Sequence, residues 1–159
     1  MKIVKLESSN HQETVIDYIS NEWGLPVVTR GKIIDIKNLP GFVVLHDDKP
    51  AGAIIYQIVN YECEIAVLFS LMMNAGSGTA LIKAVIDIAQ VNKCKRVWLI
   101  TTNDNTPAIR FYQKRGFNMK ALHVNAFKET QRIKNEGDGT IYGNDNIPIL
   151  HEIEFEIQL

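Results

Sequence analysis

The feature that most constrains the fold lies between residues 62 and 102. An apolar, strand-like run from Ile65 to Leu71 leads into Asn74-Ala75-Gly76-Ser77-Gly78-Thr79-Ala80, and an amphipathic helical pattern from Thr79 to Val91 leads out. Arg96-Val97-Trp98-Leu99-Ile100-Thr101-Thr102 follows as a second apolar strand. A strand, a crossover helix and another strand imply a parallel pair. The turn also has a chemical use. Two glycines between a strand and a helix leave backbone N–H groups unobstructed at the positive end of a helix dipole, a geometry that accepts an anion such as phosphate. The same glycines also serve a plain tight turn. No Lys-Ser/Thr pair follows them, so a nucleoside-triphosphate loop is not expected.

The flanking chain supplies the other elements. Ile3 to Leu6 reads as a strand, and Asn10 as the cap of a helix carrying Val15, Ile16 and Ile19 and ending near Trp23-Gly24. Residues 26–39 read as irregular and partly extended. Gly41 to His46 and Ala51 to Ile58 flank an acidic turn and form a hairpin. In the next strand, Glu62 to Leu71, the odd positions Cys63, Ile65, Val67, Phe69 and Leu71 make an apolar face, with Glu62, Glu64, Ala66, Leu68 and Ser70 opposite. Thr106 is the expected cap of a further helix, with Pro107 at its first position and Gly116 at its stop. Phe117 to Val124 is extended, and Ala126 to Lys134 is a short helix. Residues 149–159 alternate apolar and mostly acidic, which predicts a half-buried strand with His151 on its apolar side as a satisfied core histidine. These elements predict a mixed α+β sheet.

Composition narrows the function. A chain of 159 residues fits one domain, 1–159. A net charge of -1 lacks the basic surplus of a nucleic-acid binder. No apolar run reaches the length of a membrane span. His11, His46, His123 and His151 are scattered, so no metal motif is visible. Cys63 and Cys94 have no ligand-type spacing and no neighbouring base, and read as reduced thiols of a cytoplasmic protein.

The second informative stretch is Asn105-Thr-Pro-Ala-Ile-Arg-Phe-Tyr112-Gln-Lys-Arg-Gly-Phe117. Asn105 and Tyr112 lie about two helical turns apart and can face the same way; equally, Asn105 can start the helix and Tyr112 can pack. Gly76-x-Gly78 at a strand-to-helix turn, followed by Asn105-x-x-Ala108-Ile-x-Phe111-Tyr112-x-Lys114-x-Gly116-Phe117, resembles the GNAT-type N-acetyltransferases. The two motifs span about residues 62–117. The resemblance implies a mixed, mostly antiparallel twisted sheet with a central parallel pair splayed to admit acetyl-CoA, and helices on both faces. It further implies acetyl transfer from acetyl-CoA to a primary amine by direct attack.

Carried over by position, the resemblance assigns the CoA pyrophosphate to the backbone of Asn74, Ala75, Gly76, Ser77, Gly78 and Thr79. Leu68, Phe69 and Leu71 would supply backbone contacts, Asn105 would bond the pantetheine arm, and Tyr112 would protonate the departing thiolate. A phenol, with a pKa of about 10 against about 8.5 for a thiol, holds its proton until the sulfur needs it. Glu64 is the first candidate for the base that deprotonates the amine, Glu62 the second and His123 the third. Trp23 and Arg30 fall where such folds place acceptor-binding loops, and Arg30 suits a substrate carboxylate. The sequence departs from the family at Met73, Asn74 and Ala75, where a basic side chain is usual. A CoA-binding sensor without efficient turnover is therefore the alternative. The acceptor is a small-molecule or protein amine, and a terminal strand at a sheet edge would offer a second subunit a pairing surface for a homodimer.

Overall fold

The computed structural model describes residues 1–72 and 75–159. The fold is mixed α+β, with a mostly antiparallel sheet, one parallel pair and, among the described residues, four α-helices. The chain gathers into two compact units. The first comprises residues 1–25, 35–97 and 159, and the second residues 26–34 and 98–158.

In the first unit, β1 (Lys2–Lys5), β4 (Gly41–His46), β5 (Lys49–Val59) and β6 (Glu62–Ser70) pair in that order, each antiparallel to its neighbour. α1 (Gln12–Trp23) buries Val15 and Ile19. Its N-cap is His11, one residue beyond the expected Asn10, with no side-chain cap bond. The Ser9 hydroxyl accepts the His11 N–H instead, at 3.2 Å. α2 (Ser77–Val91) buries Leu81, Ile82, Val85 and Ala89, a stripe at helical spacing that seats it on the sheet.

The register of β5 on β6 overturns the simple alternation expected for β6. Ile55 faces Val67, but Tyr56 faces Ile65, so Ala66 is the extra residue of a β-bulge. Past a bulge the faces exchange. Glu64, opposite Gln57, therefore shares a face with Val67 and Phe69, while Ile65 and Cys63 share the other with Leu68.

In the second unit, residues 26–34 form a small hairpin rather than an irregular segment. β2 (Val27–Thr29) and β3 (Lys32–Ile34) join through Arg30 and Gly31, both left-handed (φ 51° and 72°), as a two-residue hairpin turn requires. β7 (Arg96–Thr102) begins in the first unit and continues into the second, followed by α3 (Thr106–Lys114) and β8 (Asn118–His123). α4 (Phe127–Ile133) and β9 (Glu152–Gln158) complete the chain. β9 pairs antiparallel with β8, and β8 takes the outer place in the order β7-β9-β8. The terminal strand is thus not the edge strand that the homodimer expectation assumed. Nor is its acidic side solvated: Glu152, Glu154 and Glu156 are buried alongside Phe155.

Candidate functional site

The turn between β6 and α2 is built by its first glycine. Gly76 is the N-cap of α2, left-handed at φ 77°, and offers no side-chain acceptor to the first helical turn. A Cβ at Gly76 would meet nothing within 4 Å, so conformation rather than crowding calls for glycine here. Ala75, Gly76 and Thr79 are exposed, whereas Ser77 and Gly78 are buried. An exposed helix start whose cap is a glycine fits an anionic group on backbone N–H donors. Asn74, expected to contribute, lies outside the described residues, as does Met73. Ser77 does not present its hydroxyl to the turn's exterior. Its Oγ lies 2.5 Å from that of Ser70 at the end of β6, tying the strand end to the helix start.

Backbone polarity sorts the three β6 positions. The Leu71 N–H donates to the Ala51 carbonyl of the β5 side at 2.8 Å. Alternation then turns the backbone groups of Phe69 toward β5 and those of Leu68 away from it. The Phe69 side chain is buried under an aromatic pair on α1: Tyr18 stacks on it at 4.3 Å, and Trp23 sits 6.0 Å from both rings. Trp23 remains half exposed. On the same face of β6, Glu64 is 6% exposed and accepts a bond from Gln57 Nε2 at 3.0 Å. Glu62 is committed elsewhere, in an ion pair with Arg96 at 2.7 Å. Burial, with the neighbouring Cys94 and Glu64, pushes the Cys63 thiol up to about 12, so it has no nucleophilic character at neutral pH.

In the second unit, Asn105 rather than Thr106 caps α3. Its Oδ1 accepts the Ala108 N–H at 3.3 Å, and Pro107 sits in the first turn. The cap uses the side-chain oxygen and not the amide nitrogen. Tyr112 is buried on the inner side of α3, its ring edge-on to Phe117 at 5.5 Å and tilted on Phe155 at 6.0 Å. Burial raises its pKa well above 10, which keeps the phenol protonated. Gly116, at φ 91°, ends the helix as expected.

Arg30 carries the least anticipated contacts. Its backbone N–H donates to Glu152 at 3.0 Å, its guanidinium pairs with Glu154 at 3.4 Å, and it lies 5.7 Å from the Trp98 ring centre. The Thr130 hydroxyl of α4 donates to Glu152 at 2.8 Å, and His123 Nε2 meets Glu154 at 3.0 Å. Glu152 and Glu154 are thus answered by donors from the hairpin, from α4 and from β8, while Glu156 accepts from Gln158 Nε2 at 3.2 Å. His151, just before β9, is half-buried, and its Nδ1 accepts the Asn125 N–H at 2.8 Å. The network was hidden in the sequence because its members are scattered over more than a hundred residues. Only the unbroken alternation of glutamates in β9 hinted at it. Among the described residues, no group of His, Cys, Asp and Glu could hold a metal ion, and no helix is long and apolar enough to cross a membrane.

The chain is 39% identical over 132 residues to the uncharacterised protein YdhI of Bacillus subtilis, covering 82% of this chain and 81% of YdhI. Its fold is similar to that of a Bacillus subtilis acetyltransferase crystallised with CoA (TM-score 0.73, 17% identity), covering 99% of this chain and 98% of the other. It is also similar to a GNAT family acetyltransferase of Elizabethkingia anophelis with acetyl-CoA bound (TM-score 0.67, 18% identity), covering 99% and 98%. The profile of the acetyltransferase (GNAT) family matches residues 12–117, which include both the Gly76 turn and the helix of Tyr112. The chain therefore belongs to the GNAT family of acetyltransferases.

Proposed function

We propose that residues 1–159 work as one N-acetyltransferase domain that moves an acetyl group from acetyl-CoA to a primary amine by direct attack. Acetyl-CoA, when bound, supplies the acetyl group as an activated thioester. The backbone N–H groups at Ala75, Gly76, Ser77, Gly78 and Thr79, with Asn74 before them, hold the pyrophosphate. Leu68, whose backbone turns away from β5, is the strongest of the β6 positions for an amide-bearing ligand, ahead of Phe69 and Leu71. Asn105 donates its amide nitrogen to the pantetheine arm. Tyr112 holds a proton for the leaving sulfur, and Glu64, kept in place by Gln57, takes the proton of the incoming ammonium. Trp23 presents a half-exposed ring to the acceptor. Arg30 takes part in acceptor binding with its charge already shared with Glu154. A cytoplasmic enzyme suits the two free, buried thiols.

The observation that carries this reading is Tyr112, a phenol buried on α3 and held protonated by its surroundings. Its test is a screen of amines for CoA-thiol release with acetyl-CoA supplied, repeated with Tyr112→Phe. The variant is expected to lose about 10²–10³-fold in turnover while binding acetyl-CoA within about threefold of the unaltered chain. Unchanged turnover removes Tyr112 as the acid. A second reading, a CoA-binding sensor module, is favoured by one feature: residues 73–75 carry no basic side chain. It predicts acetyl-CoA binding with no thiol release for any amine.

A further inference from the structure

The stretch from Gly143 to His151 is absorbed by none of the roles above, yet it is bound closely to the loop that ends at Asn105. Asn103 grips it through both ends of its side-chain amide. Its Oδ1 accepts the N–H groups of Leu150 and His151, each at 2.9 Å, and its Nδ2 donates to the Pro148 carbonyl at 2.9 Å. The Asn103 backbone N–H adds a bond to the His151 carbonyl at 3.1 Å. Asp104, only 3% exposed, takes the backbone N–H and Nδ2 of Asn144 on one oxygen, each at 3.0 Å. Its other oxygen takes the Thr102 hydroxyl at 2.5 Å. Gly143 is pressed so near that a Cβ there would overlap the Asp104 carboxylate. Its φ of -108° is not left-handed, and the close approach to Asp104 calls for glycine here.

The stretch is itself braced. Gly143 N–H donates to the Ile147 carbonyl at 2.9 Å, and Ile149 N–H to the Ile141 carbonyl at 2.8 Å. Three consecutive side chains thus divide the work. Asn103 and Asp104 grip this segment, and Asn105 caps α3. Most of the gripped atoms are backbone, so the segment's path matters more than its side chains.

We propose that residues 143–151 form a strap that sets the position of Asn105, with Asn103 and Asp104 as the positioning residues through which it acts. The inference rests on the reading that Asn105 bonds the pantetheine arm of acetyl-CoA. Small displacements of a positioning group cost disproportionately, because the ligand contact depends on sub-ångström geometry.

The test is a thermodynamic cycle on acetyl-CoA affinity, measured by calorimetry well below each variant's melting temperature. Gly143→Ala and Asn103→Ala are each expected to weaken binding about tenfold, as does Asn105→Ala. Combined with Asn105→Ala, either should add less than about twofold, since both act through the same contact. Asn103→Asp keeps both acceptor bonds but sets a carboxylate oxygen against the Pro148 carbonyl, so it should recover only part of the affinity that Asn103→Ala loses. Unchanged affinity in folded single variants, or losses that add fully to that of Asn105→Ala, would overturn the strap's role. Should one variant fail to fold, the other completes the cycle alone. Absence of acetyl-CoA binding by the unaltered chain would sink the cofactor reading itself, and the strap with it.

Discussion

At the scale of single residues, two buried carboxylates carry different expectations, Glu64 as the proposed base and Asp104 as a structural charge. Glu64 accepts a bond from Gln57 Nε2 and lies on the face that also carries Phe69 under Tyr18 and Trp23. Replacing it with Gln keeps the shape and a bond to Gln57 but removes the base. Turnover at pH 7 is expected to fall about 10²-fold, and the deficit to narrow toward pH 10, where the acceptor amine deprotonates in solution. A pH–rate series on Glu64→Gln decides this; an equal deficit at both ends of the series would exclude the role of base. Asp104 is the structural counterpart. Burial pushes its carboxyl up, but the bonds from Thr102 and Asn144 outweigh that and leave it below the ordinary value of 3.8. A depressed pKa means that the charged form stabilises the fold, fully above the unfolded value and progressively less as pH falls through the folded one. Asp104→Asn should therefore be clearly less stable than the unaltered chain in urea at pH 7, by about 1–3 kcal/mol. The gap should close once pH drops well below roughly 4. A gap that persists at pH 2–3 would assign the loss to packing instead of charge.

At the scale of elements, the sequence was most readable where periodicity and turn chemistry agree. The 41–58 hairpin, α2, and α3 with its stop at Gly116 all follow from apolar spacing and punctuation. The misreadings share one cause: a pattern tells which residues alternate, not what the structure places against them. In β6, the Ala66 bulge exchanges the faces, and a small residue in an apolar strand gives no warning of it. In β9, the glutamates look like a solvated face, yet Arg30, Thr130 and His123 from three distant segments offset the burial of Glu152 and Glu154. Cap positions slipped by a single residue at both α1 and α3, where neighbouring polar side chains compete for one role. Of the candidate site, the glycine turn at Gly76 and the helix that carries Tyr112 could be read in the sequence, but not the bonds of Asn103 or Ser70, whose partners are backbone atoms or a hydroxyl across a turn. Gly76 allows a prediction at this scale. Its left-handed conformation in open space means that Gly76→Val should cost roughly 1–2 kcal/mol, and Gly76→Asn distinctly less, because Asn tolerates that region. Urea unfolding of both variants measures the difference. Equal losses would mean that the conformation of the turn is not what demands glycine.

At the scale of the whole molecule, what distinguishes an acetyl-CoA enzyme from a nucleotide-binding fold is which ligand the native state prefers. The turn at Gly76 alone does not decide, since any phosphate suits backbone N–H donors at a helix start. On the proposed reading Asn105 adds selectivity, because its amide nitrogen donates to the pantetheine arm, which ATP and NAD lack. Preference for the native state appears as added stability, since a ligand that binds only the folded chain stabilises it by about 2.7 kcal/mol at a hundredfold excess over its Kd. For a chain of this size, 1 kcal/mol moves the melting temperature by about 2–4 °C, so saturating acetyl-CoA should raise it by about 5–10 °C. ATP and NAD, which offer phosphates without a pantetheine arm, should leave it within about 1 °C. Free CoA should come close to acetyl-CoA, since pyrophosphate and pantetheine are common to both. Asn105→Ala should shrink both CoA shifts without creating one for ATP. Equal protection by ATP and acetyl-CoA would return the Gly76 turn to a general phosphate cradle and leave Asn105 as nothing more than the cap of α3.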